Sequence, residues 1–310
     1  MSANGPPRVD TRRSRLAQHP WRALLLMLTI QPICYVLVGV VLYGFLRLPR
    51  DLSNMESVST VLLFTAGGFL AYVVVPFFLR IPKGRRTFVG YLDDIRLTRT
   101  RPFVQLLILT VSCDLILILC QGSGSLVYRL TEGKPLTWEF IGGVFDLASA
   151  LPPRSTLLYA QFFSSFEEVA FRGVFLTMLL ATHPPRRAIL YSAAAFGALH
   201  LPAVLAVHGL VITLGNVVWA FLFGLFYGYL FIKSGSLLPP MIIHWFSNVF
   251  QAPLTAYWRS APPATNALYG VVFGYGLATL LLLLWVRLFC ARWLSERRPA
   301  TSGPSSAVRE

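Results

Sequence analysis

Two carboxylates and a guanidinium interrupt an apolar run. Phe166-Glu167-Glu168-Val169-Ala170-Phe171-Arg172 lies within the stretch from Thr156 to Leu180. That stretch is long enough to cross a bilayer as a helix. A charge at the centre of such a helix costs roughly 2.5–3.5 kcal/mol on insertion scales, so an intramembrane ionisable group points to function. Glu168 and Arg172 are four residues apart and share a helix face, so the guanidinium can hold Glu168 ionised and fixed. Glu167 lies about 100° further round and is free to face another element. The competing reading is an ion pair that only locks helices together, since structural pairs imitate functional ones.

Three more polar groups break apolar runs. His200 closes Phe196-Gly197-Ala198-Leu199-His200, and His244 and Asn248 stand four apart in His244-Trp245-Phe246-Ser247-Asn248. Same-face spacing aims His244 and Asn248 at one point and stands Phe196 beside His200 as an aromatic wall. At ~1.5 Å per residue from the expected cytoplasmic helix ends, Glu167 lies ~20 Å deep, His200 ~18 Å, His244 ~10 Å and Asn248 ~16 Å. Polar groups on three helices at similar depth imply a shared hydrated cavity. There a carboxylate can act as general base, with a neutral His sharing its water. A His and an Asn opposite can donate to a developing oxyanion. This set suits amide hydrolysis by water without a covalent nucleophile. Two other chemistries use the same residue types. Glu167, His200 and His244 would make a His₂Glu zinc site with an open position for water. Intramembrane Glu, His and Arg also serve proton or ion relays in transporters.

These residues need helices to hold them in lipid, and the composition supplies them. Of 310 residues, 55% are hydrophobic and 13% charged. Soluble globular chains carry about a quarter charged residues. The expected fold is an all-α polytopic membrane protein. Its spans are about Ala23–Leu46, Val58–Leu79, Phe103–Cys120, Thr156–Leu180, Ala188–Leu201, Leu210–Ile232, Leu237–Pro253 and Ala267–Phe289. Residues 1–21 read as a polar basic tail, 22–290 as one eight-span membrane domain with its core near 155–253, and 291–310 as a disordered tail. The apolar core of the first span is too long for a signal peptide, and no cleavage site is clear. Lys and Arg in alternate connections divide 20 to 6, which places both termini in the cytoplasm. The basic connection from Arg80 to Arg101 admits an amphipathic interfacial helix or a plain loop. Ile141–Leu151 is too short to span and is expected at the interface.

The net charge of +14 sits in these connections, the pattern of loops facing anionic lipid. No motif supports nucleic-acid binding. Cys34, Cys113, Cys120 and Cys290 lack metal-site spacing and read as small buried apolar residues. Asp114 stands alone in the third span and reads as a protonated or capping group.

In order and on separate spans, Glu167-Glu168-x-x-x-Arg172, Phe196-x-x-x-His200 and His244-x-x-x-Asn248 resemble the CPBP family. These are the CAAX-prenyl-protease and bacteriocin-processing membrane endopeptidases, including type II CAAX prenyl endopeptidases. Ser234-Gly235-Ser236-Leu237-Leu238-Pro239-Pro240 is similar to the family's lead-in to its last motif. The resemblance covers about 157–250. It implies that Glu167 and His200 activate water, Glu168 and Arg172 orient Glu167, and His244 and Asn248 form the oxyanion side. Members have been read both with and without a metal. The metal-free mechanism is favoured, with no cofactor, because the Asn248 amide suits an oxyanion better than zinc; the zinc set Glu167, His200 and His244 is the alternative. The implied partners are membrane lipid and a peptide substrate, either a prenylated CAAX protein or a secreted or signalling peptide. The implied location is a membrane crossed several times, the plasma membrane in a prokaryote. Alternatives of another class are a non-catalytic scaffold on the same fold and a proton-coupled transporter.

Other candidates are weaker. No His-Glu-x-x-His occurs. Ser123 and Ser125 fall in Gly122-Ser123-Gly124-Ser125, which reads as a flexible connection. Ser164 and Ser165 read as helix-packing residues. Asp93-Asp94 lies in a basic loop, and His19, His183 and His208 sit at span edges.

Overall fold

Backbone amides in hydrocarbon must be satisfied within the chain, and a chain this apolar meets that demand with helices. The computed structural model describes residues 15–50, 57–85, 87–148, 162–205 and 209–294, and they form helices and turns with no strand. The helices are α1 (Pro20–Phe45), α2 (Val58–Phe78), α3 (Phe88–Asp94), α4 (Phe103–Thr131), α5 (Trp138–Val144), α6 (163–179), α7 (Pro185–Leu205), α8 (Gly209–Ser234), α9 (Leu238–Arg259) and α10 (Pro263–Leu294).

Five of them are long and apolar enough to cross a membrane: α1, α2, α4, α8 over Thr213–Ser234, and α10. The other three expected spans correspond to α6, α7 and α9, the helices that carry the motifs. Their charged, imidazole and proline residues dilute the apolar signal, and residues 149–161, where the fourth span was expected to begin, lie outside the described residues. Packing partners replace lipid around α6. From Ser164 to Leu179 every residue is buried except Glu167. The outer helices show the opposite pattern. On α4, Val104, Ile108, Val111, Leu115 and Leu119 form an exposed apolar stripe at helical spacing, suited to lipid.

Close backbone approach sets the site helices. On α8, a Cβ at Gly224 would lie 2.8 Å from Ala193 Cα of α7. One at Gly197 of α7 would lie 3.1 Å from the Val217 carbonyl. Small residues at such crossings are the usual means of packing helices in membranes. The basic connection contains α3 and docks under α9. Arg96 takes a left-handed backbone conformation, φ 61°. Its carbonyl accepts from Leu237 N at 3.1 Å, its guanidinium donates to the Phe231 carbonyl at 3.4 Å, and it lies 4.6 Å over the Phe231 ring. Buried Asp94 neutralises part of that connection through Lys83 at 3.6 Å and Arg85 at 3.4 Å.

Three boundaries differ from expectation. Gly122-Ser123-Gly124-Ser125 is not a loop but part of α4. Rings occupy the space a side chain would need: Phe145 at Gly122, and the Trp258 indole at 3.2 Å from a Cβ on Gly124. Ser125 Oγ donates to the Leu254 carbonyl at 2.7 Å, tying α4 to α9. α7 continues through Pro202, and α9 through Pro253 to Arg259. A proline forfeits one helix hydrogen bond, which membrane helices tolerate when neighbours re-satisfy the freed group. The four cysteines are free and buried, as expected. Within 141–151, residues 141–144 end the short α5, and 149–151, like those beyond 294, lie outside the described residues.

Candidate active site

Immediately after Glu168 the helix widens to i→i+5 hydrogen bonding over Val169–Leu176. Such turns are found mostly at functional sites. The predicted pair forms within them. Arg172 Nη1 donates to Glu168 Oε1 at 3.1 Å, with both side chains fully buried. The guanidinium also lies 4.5 Å from the Phe196 ring centroid and 5.4 Å from that of Tyr227. A desolvated cation on aromatic faces gains about 2 kcal/mol or more.

The same carboxylate oxygen reaches the last motif. His244 Nδ1 lies 2.9 Å from Glu168 Oε1, and its ring stacks on Tyr227 at 5.4 Å and 18°. A carboxylate flanked by a guanidinium accepts, so Nδ1 carries the hydrogen and Nε2 is left for the cavity. Glu168 Oε2 and Arg172 Nε and Nη2 make no hydrogen bond among the described residues. Glu168 is therefore the joint between the first and third motifs.

Phe196 joins the second. Its ring meets His200 edge-on at 4.9 Å, His244 at 6.2 Å and Phe171 at 5.1 Å. His200 Nδ1 lies 2.8 Å from the Phe196 carbonyl. A carbonyl only accepts, so Nδ1 again holds the hydrogen and the Nε2 lone pair is free to accept one. Trp219 of α8 closes the other side of the imidazole at 5.8 Å.

Glu167 and Asn248 complete the set without side-chain bonds among the described residues. Glu167 is the one break in the buried surface of 164–179. Asn248 is half-buried, one turn beyond His244. The arrangement thus holds a rigid charged joint (Glu168, Arg172, His244), two imidazoles with Nδ1 committed, and a carboxylate and an amide unengaged by the described side chains.

Among the described residues no hydrogen bond joins Glu167 to His200. Nor does the structure assemble the zinc set. Among the described residues no three His, Cys, Asp or Glu side chains form a group able to hold a metal ion. Tyr227 was not singled out from the sequence; tyrosine in an apolar helix carries no distinguishing signal. Asp114 lies apart, on a small cavity of about 20 Å³ with Gln121, Phe246 and Ser247. Ser165 Oγ donates to the Phe162 carbonyl at 2.6 Å, a packing role. His183 Nδ1 meets Thr182 Oγ at 2.8 Å, and His208 lies outside the described residues.

Residues 150–250 match the family model Type II CAAX prenyl endopeptidase Rce1-like. The match supports the CPBP family assignment. It takes in all six motif residues and about a third of the chain. CPBP-type similarity thus covers α6 to α8 and the first half of α9, and leaves α1, α2, α4 and α10 outside it. It supports a CAAX-type intramembrane protease family for that segment, and the five membrane-length helices support a multi-pass membrane protein. No curated protein and no solved structure matches the chain.

Proposed function

We propose that the protein is an intramembrane endopeptidase that hydrolyses a peptide bond with water activated by Glu167 and His200. The observation that carries this reading is the buried joint of Glu168, Arg172 and His244, which ties the first and last motifs together beside a single partly exposed carboxylate. Glu167 takes a proton from water while His200 Nε2 accepts the second O–H. The hydroxide adds to the scissile carbonyl carbon. Asn248 Nδ2 donates to the oxyanion, and His244 Nε2 does so in the imidazolium form. The C–N bond then breaks and Glu167 returns its proton to the leaving amine. Glu168 and Arg172 touch no reacting atom in this scheme; they fix His244 and the helix that bears Glu167.

Around this core we read eight crossings with both termini cytoplasmic, 22–290 as one membrane domain, and the plasma membrane as its place in a prokaryotic host. The substrate is a peptide presented at the membrane, with a prenylated CAAX C-terminus as the first candidate. The test is cleavage by the purified protein in nanodiscs. A farnesylated CAAX peptide and its unprenylated twin are offered with and without chelator, beside Glu167→Gln. Cleavage is expected to survive chelator and to fall at least about 100-fold in the variant, the usual weight of a general base. A Glu167→Gln protein as active as the parent overturns the site. Loss of activity in chelator, restored by zinc, overturns the metal-free mechanism and keeps the protease.

A further inference from the structure

Glu167 is partly exposed at the end of the buried joint, and no hydrogen bond joins it to His200 among the described residues. Among the described residues it makes no hydrogen bond or ion pair, and it interacts electrostatically with groups on three helices. Arg172 acts from its own helix, Tyr35 from α1 and Tyr72 from α2. Gln31 lies within hydrogen-bonding reach of both phenols. It stands one turn before Tyr35, so the two share a face of α1.

The helices are shaped to hold this group. Gly67 and Gly68 of α2 leave a bare strip of backbone. A Cβ on Gly67 would collide with the Tyr35 ring, and one on Gly68 would lie 3.5 Å from the Tyr35 hydroxyl and 3.2 Å from Phe166. The glycine pair therefore admits the Tyr35 ring next to the residue preceding Glu167. Aromatic contacts fix the same level: Tyr35 meets Phe64 at 5.6 Å, Phe64 stacks on Phe163 at 4.9 Å, and Phe69 meets Phe166 at 6.0 Å. Tyr72 is buried in the core cluster that includes Val169 and Ala170. All of these α1 and α2 residues lie outside the matched segment 150–250.

We infer that Tyr35 and Tyr72, tied together by Gln31, are positioning residues that donate to the Glu167 carboxylate, directly or through one water, and aim it at the water it activates. A carboxylate in a weakly polar site needs such donors, and hydrogen bonds to the ionised form stabilise it. The first two helices are then part of the active site and not only a wall around it.

This inference rests on the reading of Glu167 as the base, and the test separates the two. Tyr35→Phe, Tyr72→Phe and the double variant keep the rings and their packing and remove only the hydroxyls. On the peptide that the parent protein cleaves, each single variant is expected to lose on the order of 10-fold in kcat, with KM and thermal midpoint unchanged, the mark of a misaimed base. A double variant with parental kcat overturns the inference, as does a lowered midpoint with kcat per folded protein intact. Either result, beside an inactive Glu167→Gln, leaves the proposed function standing. An active Glu167→Gln removes both. The infrared carboxylate band of Glu167, isolated by subtracting the Glu167→Gln spectrum, reads the contact without turnover. It is expected to shift in the double variant, and an unmoved band overturns the inference.

Discussion

Glu168 is the most constrained residue of the site, because one of its oxygens receives both the Arg172 guanidinium and the His244 imidazole with no exposure to solvent. A buried pair adds little net stability while intact, but removing one partner strands a charge and costs about 3–5 kcal/mol. Arg172→Met is therefore expected to destabilise by that amount, read as a lowered unfolding midpoint in detergent. Arg172→Lys should restore little of it. An ammonium cannot reproduce a flat guanidinium packed on Phe196 while bonded to Glu168. The i,i+4 half of this joint was legible in the sequence, since helix geometry alone brings Glu168 and Arg172 together. Its other half was not. The bond to His244 spans 76 residues, and residue type does not say which carboxylate an imidazole will meet. The reading of His244 as an oxyanion donor or zinc ligand carried no sign that its Nδ1 meets Glu168.

At the level of helices, the contact between α7 and α8 decides where His200 sits. Gly224 offers no room for a side chain against the Ala193 backbone, and backbone cannot swing aside. Gly224→Val is expected to cost about 1–3 kcal/mol by overpacking and to lower cleavage further by pushing α7 outward. Gly142→Ala on α5 is the matched control. Nothing lies within 4 Å of its added carbon, and helix propensity favours alanine by up to about 1 kcal/mol. Activity unchanged in both variants would show that this crossing does not position His200. The apolar spans were legible because lipid-facing helices are apolar over their full length, as α1, α2, α4, α8 and α10 show. The helices of the site were harder to read because they carry the polar groups and find their apolar neighbours in the protein. Their ends were misplaced at Pro202 and Pro253 for the same reason. A proline stops a helix in water but not where surrounding helices share the cost of the lost bond.

Across the whole molecule, the proposed direction rests on the division of 20 against 6 basic residues, which no single helix carries. On that proposal the connection between α2 and α4 lies in the cytoplasm and the one after α4 outside. The protein is suited to a direct check, because its four cysteines are buried and should react little with an impermeant maleimide. Lys134→Cys, on the exposed turn after α4, is expected to label in intact cells. Lys83→Cys, between α2 and α3, should label only after the membrane is opened. Labelling of both from one side would mean that α4 does not cross, despite its length and its lipid-facing stripe. The reverse pattern would invert the molecule. The outcome also bears on the chemistry. With the expected direction, α9 rises from the cytoplasmic face, and His244 lies only ~10 Å along it from Leu238. A substrate would then approach the site from the cytoplasm or the inner leaflet, where a lipid-modified protein end resides. In the inverted molecule the same residues would open toward the outside, and a secreted peptide would become the better candidate.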